Sequence, residues 1–156
     1  MTEGEKTRLI AWNHELRAVH DRLREALAMT RAAVADGKSG DATTRDLLLF
    51  CRGFCAALTG HHEGEDQHLF PAIEAEHPEL GDALRALQQD HSMIAHLLNA
   101  LEAATSRAAP AHELDQHLEG IAAIMESHFH YEERVLAEVL SGLNLDTGSD
   151  TVLGPL

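Results

Sequence analysis

The sequence predicts an all-α protein, an antiparallel up-down-up-down four-helix bundle. Three observations predict it. Apolar residues recur at three- and four-residue intervals along four long segments, the spacing that lays them on one face of a helix. Only short breaks carrying Gly, Pro, Asp or Thr separate those segments, and short links between long helices favour antiparallel neighbours. Aromatic residues make up only 4% of the chain, while Ala and Leu dominate, a balance that favours helix over sheet. The 156 residues correspond to one domain with enough chain to bury a real core.

The first helix is predicted from about Lys6 to Ala35, with Leu9, Leu16, Leu23 and Leu27 on one stripe. Asp36-Gly37-Lys38-Ser39-Gly40 ends it as a loop. The second helix starts among the capping residues Asp41 to Thr44 and runs to about Glu76. Pro71 lies inside it, so a kink or break is expected near Phe70. His77-Pro78 forms a turn and opens the third helix, whose stripe is Leu80, Leu84, Leu87, Ile94, Leu98 and Leu101. Thr105 to Pro110 closes it. The fourth helix runs from about Ala111 to Leu140. The bundle is expected over residues 1–142, and residues 143–156 are expected to form a flexible, aperiodic C-terminal tail.

The formal charge is −14. So acidic a chain disfavours nucleic acid and anionic membranes as partners. No apolar run approaches the roughly 20 residues needed to span a bilayer. The N-terminus, Met1-Thr2-Glu3-Gly4-Glu5-Lys6, lacks a basic-then-apolar signal, so a cytoplasmic location is expected. Two cysteines, Cys51 and Cys55, do not make a disulfide framework. A monomer or weak dimer is expected, since no helix shows a second apolar face.

Twelve histidines against one Trp and one Tyr is the unusual feature of the composition. Two segments repeat one phrase, His61-His62-Glu63-Gly64-Glu65 and His128-Phe129-His130-Tyr131-Glu132. Each sets a histidine four residues before a glutamate, one above the other on a helix. Counting about 100° per residue, His128 shares its face with Ile121, Ile124, Val135 and Val139, and Glu132 lies about 40° away. His61 shares its face with Leu47, Phe50, Phe54, Ala57 and Leu58, with Glu65 about 40° away. His62 and Asp66 are placed toward the flank, at roughly 100° and 140°. His91 falls on the stripe of the third helix and His20 on that of the first, whereas His96 and His14 point away. An imidazole and a carboxylate on an inward face are unfavourable unless something binds them. The inward set therefore predicts one metal site shared by four helices, with ligands His20, His61, Glu65, His91, His128 and Glu132.

Several other residues carry weaker signals. Cys51 and Cys55 are expected as small core hydrophobes. His68, on the His61 face, is read as a capping group or a donor behind the ligands. Tyr131 is read as interhelical packing and Arg24 as a partner for a carboxylate near the bundle end. Glu63, Asp66 and Glu133 are read as solvated groups or supports for ligands.

The chain resembles the hemerythrin-like, HHE cation-binding family over roughly residues 8–140. The matching stretches are Val19-His20-Asp21-Arg22-Leu23-Arg24, His61-His62-Glu63-Gly64-Glu65-Asp66-Gln67-His68-Leu69-Phe70-Pro71, Asp90-His91-Ser92-Met93-Ile94 and His128-Phe129-His130-Tyr131-Glu132-Glu133-Arg134. Residue by residue, the resemblance implies iron ligands at the same six positions. Glu65 and Glu132 would bridge two iron ions in a non-haem centre with an oxo or hydroxo bridge. The chain is similar to the bacterial single-domain type that lacks the fifth histidine. Oxygen carriers of the family place that histidine four residues after the third-helix ligand, and here the position is Ala95. Their last acidic ligand is an Asp five residues after its histidine; here the better-placed residue is Glu132, at four.

With four histidines, two bridging carboxylates and one shared oxygen, two octahedral irons keep roughly two positions open. The expectation is a catalase- or peroxidase-like oxidoreductase acting on small oxidants, by hydrogen peroxide disproportionation or nitric oxide peroxidation. The alternative is binding, sensing or storage of oxygen, nitric oxide or iron without turnover. A third reading is a bundle stabilised by zinc or manganese, with no redox role.

Overall fold

The computed structural model describes residues 3–36, 41–143 and 149–154, with side chains described for 12–35, 49–143 and 151–154. The Leu9 and Leu47 side chains and the loop at 37–40 lie outside the described residues. The long helices are α1 (Glu3–Asp36), α2 (Asp41–Gly64), α4 (Gly81–Ser106) and α5 (Ala111–Ser141). α1 packs on α2 and α5, and α4 packs on the same two, which closes the bundle. The predicted class and the four helical segments therefore stand.

The core stripe holds along the chain. Leu16, Leu23 and Leu27 of α1 are buried with Leu58 of α2, Leu87, Ile94 and Leu101 of α4, and Leu118, Ile121 and Leu136 of α5. Two faces are rotated from their predicted directions. On α2 the buried side chains are Cys51, Phe54, Cys55, Leu58, His61, His62 and Glu65, while Phe50 is 39% exposed. On α5 the buried set includes Met125, Phe129 and Leu136, with Ile124, Val135 and Val139 only half-buried. Both faces thus centre about 60° round from the ligand histidine, toward the residue that follows it.

The break expected at Pro71 takes a particular form. Glu65–Leu69 winds as a π-helical turn, and the Phe70 N–H donates to the Glu65 carbonyl five residues back. Proline has no N–H, and its ring crowds the carbonyl of residue i−4, here Gln67. Widening the turn just ahead of Pro71 accommodates it, and α3 (Phe70–Glu76) continues the rod. His68 is exposed as a result, so it neither caps the bundle nor reaches the ligands. Pro78–Leu80 forms a 3-10 turn ahead of α4 rather than its first residues.

The largest departure is at the C-terminus. Residues 149–154 are not a loose tail: α6 (Ser149–Leu153) packs on α1, α2 and the π turn, and Val152, Leu153 and Gly154 are buried. Val152 and Leu153 carry the apolar surface that drives this docking, a signal too short for periodicity to reveal. Met29, Leu49 and Phe50 leave an exposed apolar strip between α1 and α2. No helix among the described residues is long and apolar enough to cross a membrane.

Cys51 and Cys55 are unpaired core side chains on α2. Burial pushes the Cys51 thiol up to about 11, and burial with the nearby Glu102 pushes Cys55 to about 12. Only the thiolate is nucleophilic. The folded protein should therefore resist a thiol-alkylating reagent near neutral pH, with labelling followed by mass spectrometry proceeding only as fast as the chain opens. Rapid labelling of both thiols in the folded state would contradict this packing.

Candidate metal centre

All six predicted residues meet at one level of the bundle. His20 comes from α1, His61 from α2, Glu65 from the start of the π turn, His91 from α4, and His128 and Glu132 from α5. Each is at most 5% exposed. The Nε2 atoms converge on the two carboxylates. His20 Nε2 lies 3.2 Å from Glu132 Oε1, and His128 Nε2 lies 3.3 Å from Glu132 Oε2. His61 Nε2 is 3.4 Å and His91 Nε2 is 3.3 Å from Glu65 Oε1. Each glutamate therefore stands between a histidine of the α1–α2 half and one of the α4–α5 half.

The ligand atoms form two groups that could each hold a cation. One is His20, His61, Glu65 and Glu132; the other is His62, Glu65, His91 and His128. Glu65 belongs to both. His62 is the residue that sequence reasoning misplaced. Its ring is 6% exposed, not on the flank, and stacks on His91 with centroids 3.9 Å apart. The signal was present in Cys51 and Cys55. Both lie round from His61 on the side of His62, at about 80° and 120°, and the observed buried face, centred about 60° round, puts His62 about 40° from its centre.

The other ring nitrogens are held from behind. The His91 Nδ1 pairs with Asp66 Oδ1 at 2.8 Å, and the His128 Nδ1 with Asp90 Oδ2 at 3.0 Å. Glu133 Oε1 lies 3.6 Å from His20 Nδ1, and Arg24 in turn pairs with Glu133 and Glu126. The His61 Nδ1 donates to the backbone carbonyl of Leu153 at 2.8 Å. At His61, His91 and His128 the Nδ1 partner turns Nε2 inward; all four rings aim Nε2 at the glutamates, and those of His91 and His128 also lie 3.1 Å apart. Tyr131, beneath the Arg134 guanidinium, is half-buried packing as expected.

An internal repeat underlies the arrangement. His61-His62 with Glu65-Asp66 on α2 matches His128-Phe129 with Glu132-Glu133 on α5, and His20 of α1 matches His91 of α4. The residue after each first histidine stacks on the ring from its neighbouring half: His62 on His91, and Phe129 on His20 at 3.8 Å. The repeat breaks at this pair. A nitrogen donor faces one group, and a phenyl ring walls the other.

The donor set fits a cation. Among the described residues, the buried side-chain nitrogens and oxygens that lack a hydrogen-bond partner are both ring nitrogens of His20, Nε2 of His61 and His62, and all four carboxylate oxygens of Glu65 and Glu132. A buried polar atom left unpaired costs about 1–3 kcal/mol, so such a cluster calls for a ligand that all of them can share. With the protein's own groups alone, burial and the facing Glu132 raise the Glu65 carboxyl well above the usual range. Burial also opposes charge on Glu132, but Glu65, His128 and His20 outweigh it and hold that group well below the range. Burial opposes charge on His20 and His128 too, yet their neighbouring carboxylates raise both rings. Burial, reinforced by His20, lowers His61 to about 3; burial, reinforced by His91, holds His62 well below the ordinary imidazole value.

Two predictions follow from these donors. A cation must displace the protons that Glu65, His20 and His128 hold above their ordinary pKa values. Binding should therefore release protons and strengthen as pH rises through the ordinary imidazole range and above it, as calorimetric titration in buffers of different ionisation enthalpy will show; an affinity independent of pH there would contradict the site. His62→Ala should weaken a cation held by the His62 group by about tenfold or more, roughly 1.4 kcal/mol, and leave one held by the His20 group unchanged. Two undisturbed equivalents in that variant would exclude His62.

Searches of curated proteins and of solved structures returned no match. A family model, the hemerythrin HHE cation binding domain, matches residues 13–140, a span that contains every side chain placed in the two groups. The chain belongs to the hemerythrin HHE cation-binding domain family.

Proposed function

We propose that this chain holds two iron ions, with His20, His61, Glu65, His91, His128 and Glu132 as ligands and His62 as a seventh. The reading goes on to chemistry on small oxidants: disproportionation of hydrogen peroxide or peroxide-driven oxidation of nitric oxide. The observation that carries it is the pair of buried donor groups sharing Glu65, with Glu132 reaching a histidine of each. A redox-active pair bound there would supply and accept electrons two at a time.

The chain's own residues support that chemistry in three ways. Phe129 and the stacked imidazoles, all buried, keep bulk water from the donor atoms. Asp66 and Asp90 hold the backs of two rings and Glu133 faces a third, which raises ring basicity and favours the more highly charged state of a bound pair. These three carboxylates are also partly open to solvent, so protons can reach the rim of the site. Protons are needed: one peroxide takes two electrons and two protons to give two waters, and a second gives two of each to leave dioxygen.

His62 changes the sequence-based argument for turnover. With His62 added, five imidazoles and two carboxylates would leave a bound iron pair fewer open positions than the six ligands expected from sequence. That more closed count favours a second reading, binding of oxygen or nitric oxide without turnover. The walling of the His20 half by Phe129, opposite the additional nitrogen at the other half, supports placing the reactive position on the His20 side. Iron-loaded protein should evolve oxygen from peroxide faster than the same iron free in buffer, and Glu132→Ala should lose the second iron and that excess rate. A stable diatomic adduct with no turnover selects the binding reading. Zinc as the only metal of anaerobically purified protein would overturn the redox proposal altogether, and manganese as the only metal would overturn the assignment of iron.

A further inference from the structure

The four ring histidines at the repeat positions do not receive equal support, and the difference leads to the C-terminus. Three Nδ1 atoms face carboxylates: Asp66 behind His91, Glu133 behind His20 and Asp90 behind His128. The internal repeat pairs Glu133 with Asp66, each following its half's glutamate. It also assigns His61 a partner. Asp90, which precedes His91, supports His128, so the residue preceding His20 should support His61. That residue is Val19, a buried hydrocarbon that accepts no hydrogen bond. The Leu153 carbonyl stands in its place, 2.8 Å from His61 Nδ1.

The approach is backbone against backbone and depends on two glycines. Gly154 has a φ of +93°, and a Cβ there would lie 2.8 Å from the His61 nitrogen and 2.9 Å from its Cα. A Cβ on Gly64, the residue before Glu65, would lie 2.6 Å from the Val152 carbonyl oxygen. Glycine permits both the left-handed conformation and the contact. Val152 and Leu153 anchor the segment with fully buried side chains. This segment lies beyond residues 13–140, the span of the family match.

We propose that residues 149–154 are a strap belonging to the metal-binding machinery. Leu153 is a positioning residue: its carbonyl fixes the proton on His61 Nδ1 and so presents Nε2 to the His20–His61 group, as a carboxylate does at His91 and His128. The inference rests on the two-cation reading of the site.

Anaerobic titration with Fe(II) tests it on the full chain. Gly154→Ala should lift the strap and weaken one of the two equivalents by about 10–100-fold, the range for losing a ligand's supporting partner. The second equivalent should keep its affinity, and helical circular dichroism should be unchanged. Thr151→Ala, an exposed position on the same segment, should bind both as the parent does. Two equivalents at parent affinity in Gly154→Ala would overturn the proposal. Should that variant fail to fold, the parent chain still decides it through imidazole nitrogen NMR of chelator-treated protein. His61 should show a protonated Nδ1 whose hydrogen exchanges slowly, and a protonated Nε2 would overturn the strap. A parent chain that binds no Fe(II) sinks the two-cation reading instead, while the same NMR measurement still reports on the strap.

Discussion

The structure depends on a single constraint: two glutamates and five imidazoles buried in the middle of a helical bundle must satisfy their polar atoms together. Apolar packing alone does not account for this level of the core, where both oxygens of Glu65 and of Glu132 lack hydrogen-bond partners. Above and below it, Leu16, Leu58, Leu87 and Leu118 pack as in any bundle. At it, every helix contributes a group that water would hold better unless a cation is shared among them. The carboxylates behind the rings, the π turn and the docked C-terminus all act on that one layer.

Much of this was legible in the sequence because its signals are periodic. The His-x-x-x-Glu phrases place donor and acceptor one helical turn apart, and the leucine stripes fix which way His20 and His91 face. All six side chains named on that basis converge. The phrase on α2 nevertheless points to a face shared by Leu47, Phe50, Phe54, Ala57 and Leu58, which makes His62 a flanking residue. The two cysteines, the least polar-looking evidence on that helix, define the face better than Phe50, which is partly exposed. On α5 the same rotation brings Phe129 inward, against His20.

The remaining features were hidden for different physical reasons. The π turn depends on how the chain relieves Pro71, and a proline announces a break without saying whether the helix kinks, ends or widens. Exposure of His68 follows from that choice. The strap at residues 149–154 is too short for a periodic signal, and its polar contact is a backbone carbonyl, which no residue identity encodes. Gly154 was the one visible hint, and only a three-dimensional neighbour gives it meaning. The internal repeat makes the omission intelligible: where Val19 replaces the expected carboxylate, the chain reaches back from its far end.

The central claim is that one buried layer holds two cations bridged by Glu65 and Glu132. X-ray absorption at the metal edge of anaerobically purified protein, combined with elemental analysis, tests it directly. The account predicts two metal ions per chain, imidazole and carboxylate donors, and a metal–metal scattering path at about 3.5–4 Å or shorter. One ion per chain with no metal neighbour would contradict it.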